Sequence, residues 1–160
     1  MSVDRYTIKL KSYLDVFIEK YAHEAFYPGA LLLLNADDEL EVHDDDAPAA
    51  FIPIVAIEDA LQGKGINDAY AAGDWVRGWV PSRGDVFYGI LADGEHVAIG
   101  DFLQAYGTAG YLEKQTGTGH AIGIALEHLD LSGSDSSDAP DPNSPVSPFG
   151  YSRRIKCMVL

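Results

Sequence analysis

Several stretches of this sequence hold residue types that could do chemistry. The acidic run over residues 37–46, from Asp37 and Asp38 to Asp44-Asp45-Asp46, could offer oxygens to a hard cation. An EF-hand loop would need alternating Asp or Asn, a central glycine and a closing glutamate, and none of these is in register. A solvated hairpin tip is the simpler reading. His23, His43, His96, His120 and His128 could ligate a metal or act as a general base, but no two stand four apart and no His-Glu-x-x-His occurs. Gly117-Thr118-Gly119-His120 looks superficially like a phosphate loop, but lacks the Gly-Lys-Ser/Thr ending and reads as a turn. No Gly-x-Ser-x-Gly elbow is present. The single cysteine, Cys157, excludes an internal disulfide and a cysteine-based zinc site, and fits a small buried apolar residue. The sequence therefore gives no reason to expect an enzyme, a metal or a cofactor.

A different kind of chemistry gathers in Trp75-Val76-Arg77-Gly78-Trp79-Val80-Pro81-Ser82-Arg83. This segment holds both tryptophans and two of the five arginines of the chain. Tryptophan and arginine are enriched where protein interfaces carry most of their energy. The candidate interface residues are therefore Trp75, Arg77, Trp79 and Arg83, together with Phe17 and Tyr21 from an upstream apolar stretch. The competing reading puts the alternate residues Trp75 and Trp79 in a core and pairs Arg77 with surface carboxylates.

Charge narrows the partners. Twenty-five acidic residues against eleven basic ones leave a formal charge of -14. Such a surface repels phosphate backbones and anionic membranes, so neither nucleic acid nor membrane is expected as a partner. No apolar run approaches the roughly 18 residues that span a bilayer; Ala30-Leu31-Leu32-Leu33-Leu34 is the longest. No apolar stretch follows Met1-Ser2-Val3-Asp4-Arg5, so no secretory leader is expected. The acidic excess is spread along the chain. It fits either an acidic protein that pairs with a basic surface or a very salty habitat, where a Debye length of about 3 Å at 1 M screens self-repulsion.

The elements that must position these residues read as mainly β: a compact β-barrel with an N-terminal arm and short helical turns. Residues 1–27 form the arm. It is extended if Tyr6, Ile8 and Leu10 alternate with polar neighbours, and helical if Leu10, Leu14, Phe17 and Tyr21 form a stripe. The barrel comprises residues 28–131 and 149–160, and residues 132–148, low in complexity, form a flexible Ser/Asp/Pro loop. Pro28-Gly29 turns the chain into a buried strand over residues 30–35. Further strands follow over 40–43, 51–57, 120–129 and 155–160, with a helical turn at 58–61. Between residues 73 and 103 the pairs Gly73-Asp74, Gly84-Asp85 and Gly100-Asp101 each precede a short aromatic or β-branched run, the signature of strands joined by tight turns. Ile124-Ala125-Leu126-Glu127 echoes Val55-Ala56-Ile57-Glu58, as two similar barrel halves would, although four residues do not establish a duplication.

The order of these motifs carries a resemblance. Tyr70-Ala71-Ala72-Gly73-Asp74-Trp75-Val76, Val80-Pro81-Ser82-Arg83-Gly84-Asp85-Val86, Leu91-Ala92-Asp93-Gly94-Glu95 and Gly100-Asp101-Phe102-Leu103 resemble a group of small head proteins of tailed bacteriophages and archaeal viruses. Pro28-Gly29, Leu61-Gln62-Gly63-Lys64, Ile124-Ala125-Leu126-Glu127 and the basic strand over residues 153–160 fit the same pattern. Where members read Ser-x-Gly-Asp-Gly, this chain has Ala105-Tyr106-Gly107-Thr108-Ala109-Gly110. The resemblance implies a capsid decoration (cement) protein on the outer surface of the virion. Its partner would be the major capsid protein, it would assemble as a homo-oligomer (a trimer), and the acidic surface would suit a halophilic virus. The alternative is a virion-displayed β-barrel module that binds a host receptor or glycan.

Overall fold

The computed structural model describes residues 7–43, 54–106, 110–117, 119–133 and 153–160. Among them the chain forms β1 (Lys9–Lys11), β2 (Val16–Tyr21), β3 (Leu31–Leu34), β4 (Leu40–Val42), β5 (Ile54–Ala56), β6 (Trp75–Val80) and β7 (Val86–Ile90). Then come β8 (His96–Val97), β9 (Phe102–Ala105), β10 (Leu112–Lys114), β11 (Gly123–Ala125), β12 (Leu129–Asp130) and β13 (Arg154–Val159). Among the described residues a single 3-10 turn, at Ala60–Gln62, is the helical element. The loop expected over 132–148 lies outside the described residues apart from Ser132 and Gly133. The 6–26 stretch is extended where it is described. The helical stripe does not form, because β1 pairs with β7 and β2 with β6 within the same chain.

The strands are sorted into three sheets, in the orders β1-β7-β13-β11-β9-β10, β2-β6-β5-β3-β4 and β12-β8. Setting aside β1 and the small β8–β12 pair, the two large sheets follow one plan. In each, five strands stand in the order first, fifth, fourth, second, third. The register agrees residue by residue. Ala56 lies opposite Gly78, which lies opposite Ile18; Ala125 lies opposite Cys157, which lies opposite Phe87. Leu32 faces Ile54 as Leu103 faces Gly123, and Leu34 faces Leu40 as Ala105 faces Leu112. The chain is thus built from one five-stranded unit used twice. The echoing segments at Val55 and Ile124 occupy the same place in each.

Each unit curls until its first and third strands meet. A parallel bridge joins Ala22 to Leu40 in the first unit and Leu91 to Leu112 in the second. Beside each bridge one backbone bond of 2.8 Å runs from His23 to the Leu40 carbonyl, and from Ala92 to the Leu112 carbonyl. One bridge is not a ladder. The mainly β expectation is met, while a closed barrel is not found among the described residues.

Strand alternation gives each unit its own interior. Leu32, Leu40, Ile54, Ala56 and Val76 fill the first. Phe87, Leu91, Leu103, Leu112, Ala125, Ile155 and Cys157 belong to the second. The volumes are exchanged between equivalent places. In the first unit Gly78 leaves room for Ile54, whose Cγ2 would lie 2.8 Å from an added Cβ. In the second, Gly123 leaves room for the Cys157 thiol. Burial pushes that thiol up to about 12.

Candidate interaction surface

The Gly-Asp pairs do what their chemistry suggests. At Ala71–Asp74, Ser82–Asp85 and Ala98–Asp101 the aspartate N–H donates to the carbonyl three residues earlier, at 3.0 to 3.1 Å. Gly73, Gly84 and Gly100 take φ of 84°, 89° and 91°, the third position of a type II turn. Each aspartate carboxylate then accepts the first residue's N–H, at 2.9, 2.7 and 2.9 Å. Asp85, fully buried, also accepts the Tyr13 N–H at 2.8 Å and so ties the incoming chain to this turn. Asp101 is held below the usual aspartate range, first by its hydrogen bond to Lys114 and then by the Ala98 N–H. These carboxylates hold backbone in place.

The acidic tip is likewise occupied with itself. Asn35 Oδ1 accepts the N–H groups of Asp37 and Glu39, both at 3.0 Å, and Asp38 pairs with Lys20 at 2.5 Å. Asp44, Asp45 and Asp46 lie outside the described residues. Among the described residues no three His, Cys, Asp or Glu side chains converge as metal ligands would. His96 and His128, distant in sequence, do meet edge to face at 5.2 Å, with Asp130 at 3.3 Å from His96.

The six candidate interface residues fall into two groups. Trp75, Arg77 and Trp79 all point from β6 away from the first unit's interior, but the outer face changes character along the strand. At one end Trp79 is fully buried, its ring edge-on to Phe87 of the second unit at 6.4 Å. Leu31 and Val55 are buried beside it in the same cluster, with Phe17 packed against them. Trp79 therefore belongs to the contact between units. At the other end Trp75 is 46 % exposed and Tyr21 55 % exposed, and the two rings meet edge-on at 4.9 Å. Between them Arg77 lies 4.9 Å over the Phe17 ring and 3.4 Å from Glu19. Arg83 is exposed in the turn before β7. The alternation placed both tryptophans on one face correctly, but Trp75 is not in a core, because the second unit covers only the Trp79 end.

The second unit answers from its own outer face. Ile90 packs with the first unit's interior cluster. Arg154, fully buried, donates from Nε and Nη2 to the Pro28 carbonyl at 3.1 and 3.0 Å, and from Nη2 to the Ile66 carbonyl at 2.6 Å. Sequence reasoning assigned Arg154 to a basic terminal strand and missed this junction. No isolated residue pattern in the sequence signals it.

No protein-family model matches the chain, and no curated protein matches it. Among solved structures the chain is similar to the head fiber gp8.5 N base in bacteriophage phi29, with a TM-score of 0.52 and 15% sequence identity. The likeness covers 92% of this chain and 95% of that chain, so it embraces both units. It is a likeness of fold.

Proposed function

We propose that this chain is a non-enzymatic structural protein of a tailed-virus head, held on the outer surface of the shell as a decoration protein that binds the major capsid protein. The observation that carries the reading is the fold likeness to a head fiber base over nearly the whole of both chains. The ordered Gly-Asp motifs of the sequence support it independently. The mechanism is thermodynamic: a protein that binds only the assembled shell stabilises it by mass action. Many identical weak contacts then sum over the lattice. The charge of -14 fits a surface kept soluble in a salty habitat, as a halophilic virus would require.

A second reading comes from the neighbour's own description as a fiber base: a chain that anchors an appendage to the head at fewer places. Quantitative mass spectrometry of purified particles separates the two. A copy number close to that of the major shell protein supports lattice-wide decoration. A low but constant number supports the appendage base, and absence from the particle overturns both.

A further inference from the structure

The second unit carries a strand that its plan does not require. β1 stands outside the five-stranded order and pairs with β7, the second unit's first strand, opposite Val86 and Phe87. The Tyr88 N–H donates to the Ile8 carbonyl at 2.9 Å, and the Ile8 N–H donates to the Glu58 carboxylate at 3.1 Å. β1 thereby covers the earlier part of the β7 edge, while the Leu91–Leu112 bridge closes the far end. The first unit has the same edge on β2. There Phe17, Ile18 and Glu19 stand in the places of Val86, Phe87 and Tyr88, and the Ala22–Leu40 bridge again closes only the far end. The Ala22 N–H donates to the Asp74 carbonyl at 2.8 Å, so by strand alternation the even residues of β2 bond to β6. Phe17 and Glu19 therefore aim their backbone groups away from β6, past the edge of the sheet. Among the described residues no strand pairs with that part of the edge, and no group accepts either of these two N–H groups. Exposed edges are ordinarily blunted by charge, proline or a bulge. Glu19 and Lys20 blunt the later part of β2, but Val16, Phe17 and Ile18 carry no charge and the register with β6 runs on without a shift. Val16 is 42 % exposed, and Phe17 and Ile18 are half-buried.

We infer that the edge of β2 at Phe17–Glu19 takes an extended segment of the major capsid protein as an added strand, in the place that β1 fills on β7. This contact presupposes the decoration role and gives it a site. The N–H and C=O groups of Phe17 and Glu19 bond the incoming backbone, and its alternate side chains meet Val16 and Ile18 on one face and Phe17 on the other. The segment that fits is apolar where it passes Val16 to Ile18, because cross-strand neighbours stabilise a sheet when they match. Ile8, fully buried in the equivalent place, is the kind of side chain such an edge accepts. Backbone bonds and apolar contacts also hold where salt at about 1 M screens the attraction between charged surfaces, as the proposed habitat requires.

Hydrogen exchange of the protein, free and bound to shells stripped of it, tests the contact. In the free protein the Phe17 and Glu19 amides should exchange fast, and those of Ile18 and Lys20, turned toward β6, slowly. On the shell the Phe17 and Glu19 amides should slow at least about tenfold, while Ile18 and Lys20 change little. Glu19→Pro deletes an outward N–H and blocks the edge, at a position that does not bond β6. It should weaken shell binding at least about tenfold, and Glu19→Ala, which keeps the N–H, less than about threefold. An unchanged unfolding midpoint would show that Glu19→Pro keeps the fold; if it does not, exchange in the unaltered chain decides alone. Binding to the shell without protection at Phe17 and Glu19 overturns the inference and leaves the decoration role standing. Failure to bind the shell overturns both. Protection that appears in the free chain as its concentration rises gives the edge to a second copy, and so overturns the inference as well.

Discussion

Gly29 and Gly100 begin equivalent strands with similar backbone angles, φ of 100° and 91°, and each donates its N–H to an equivalent carbonyl, that of Ala56 at 2.7 Å and that of Ala125 at 2.9 Å. They differ in what surrounds them. Gly29 is walled in by β7 and Arg154, while Gly100 faces open space. The pair is a natural control for the junction between the units, because the backbone cost of a side chain is nearly common to both.

Alanine at either position should destabilise the fold, since positive φ is unfavourable for any residue with a Cβ, by about 1–3 kcal/mol. Gly29→Ala should cost at least about 1 kcal/mol more than Gly100→Ala, because it also presses on the Tyr88 carbonyl. Urea denaturation of the two variants measures the difference, and equal losses would mean that the junction yields freely.

The two tryptophans should separate as sharply. Trp79→Ala removes a fully buried ring from the cluster joining the units and should cost about 3–5 kcal/mol. Trp75→Ala gives up an exposed edge-on contact with Tyr21, worth about 0.5–1.5 kcal/mol. Guanidinium unfolding followed by circular dichroism reads both, and similar losses would contradict the assignment of their shared face.

Among the turn aspartates, Asp85 should matter most. Asp85→Ala strands the Ser82 and Tyr13 N–H groups in a part-buried place, at about 1–3 kcal/mol for the lost acceptor. Asp74→Ala releases the Ala71 N–H at an exposed turn and should cost less. Hydrogen exchange at Tyr13 should accelerate in the first variant and stay unchanged in the second.

Two titrations should run in opposite directions. Asp101 has a folded pKa depressed by Lys114, so its stabilisation is present above the unfolded aspartate value and lost as pH falls through the folded one. His23 has a folded pKa raised by its 2.9 Å hydrogen bond to Glu39, so its contribution is present below the usual histidine value and lost as pH rises through the folded one. Side-chain NMR should find Lys114→Ala moving Asp101 up and Glu39→Gln moving His23 down. His23 is exposed and Asp101 partly so, and both effects are those of screened surface pairs.

Much of the local structure was legible because turns are written in few residues. The Gly-Asp pairs, the strand at Leu31–Leu34 (buried at Leu31 and Leu32, exposed at Leu34), the half-exposed strand at Leu40–Val42 and the closing strand at Arg154–Val159 follow from turn chemistry and alternation. The 6–26 stretch was not legible, since Leu10, Leu14, Phe17 and Tyr21 satisfy a helical period as well as a strand, and only pairing with β6 decides between them. The repeat was nearly hidden. Equivalent interior places trade volume, as Gly78 with Ile54 becomes Cys157 with Gly123, and Ala22 becomes Leu91, so one backbone is kept while the residue types diverge. The surface candidates failed where tertiary cover decides. Trp75 and Trp79 are indistinguishable in sequence, and the second unit covers one of them.

The strand order sets how the two units can emerge from the ribosome. All five strands of the first unit lie between Val16 and Val80, and it can close as soon as β6 is made. The second unit's opening strand, β7, has its main partner in β13, at Arg154–Val159, so that half cannot close its sheet until synthesis has passed residue 159. In the interval, β7 has β1 and the surface of the finished first unit to rest on. The earlier half can thus serve as a template against which the later half assembles, and a truncation that removes β13 should leave the first unit as the one able to fold.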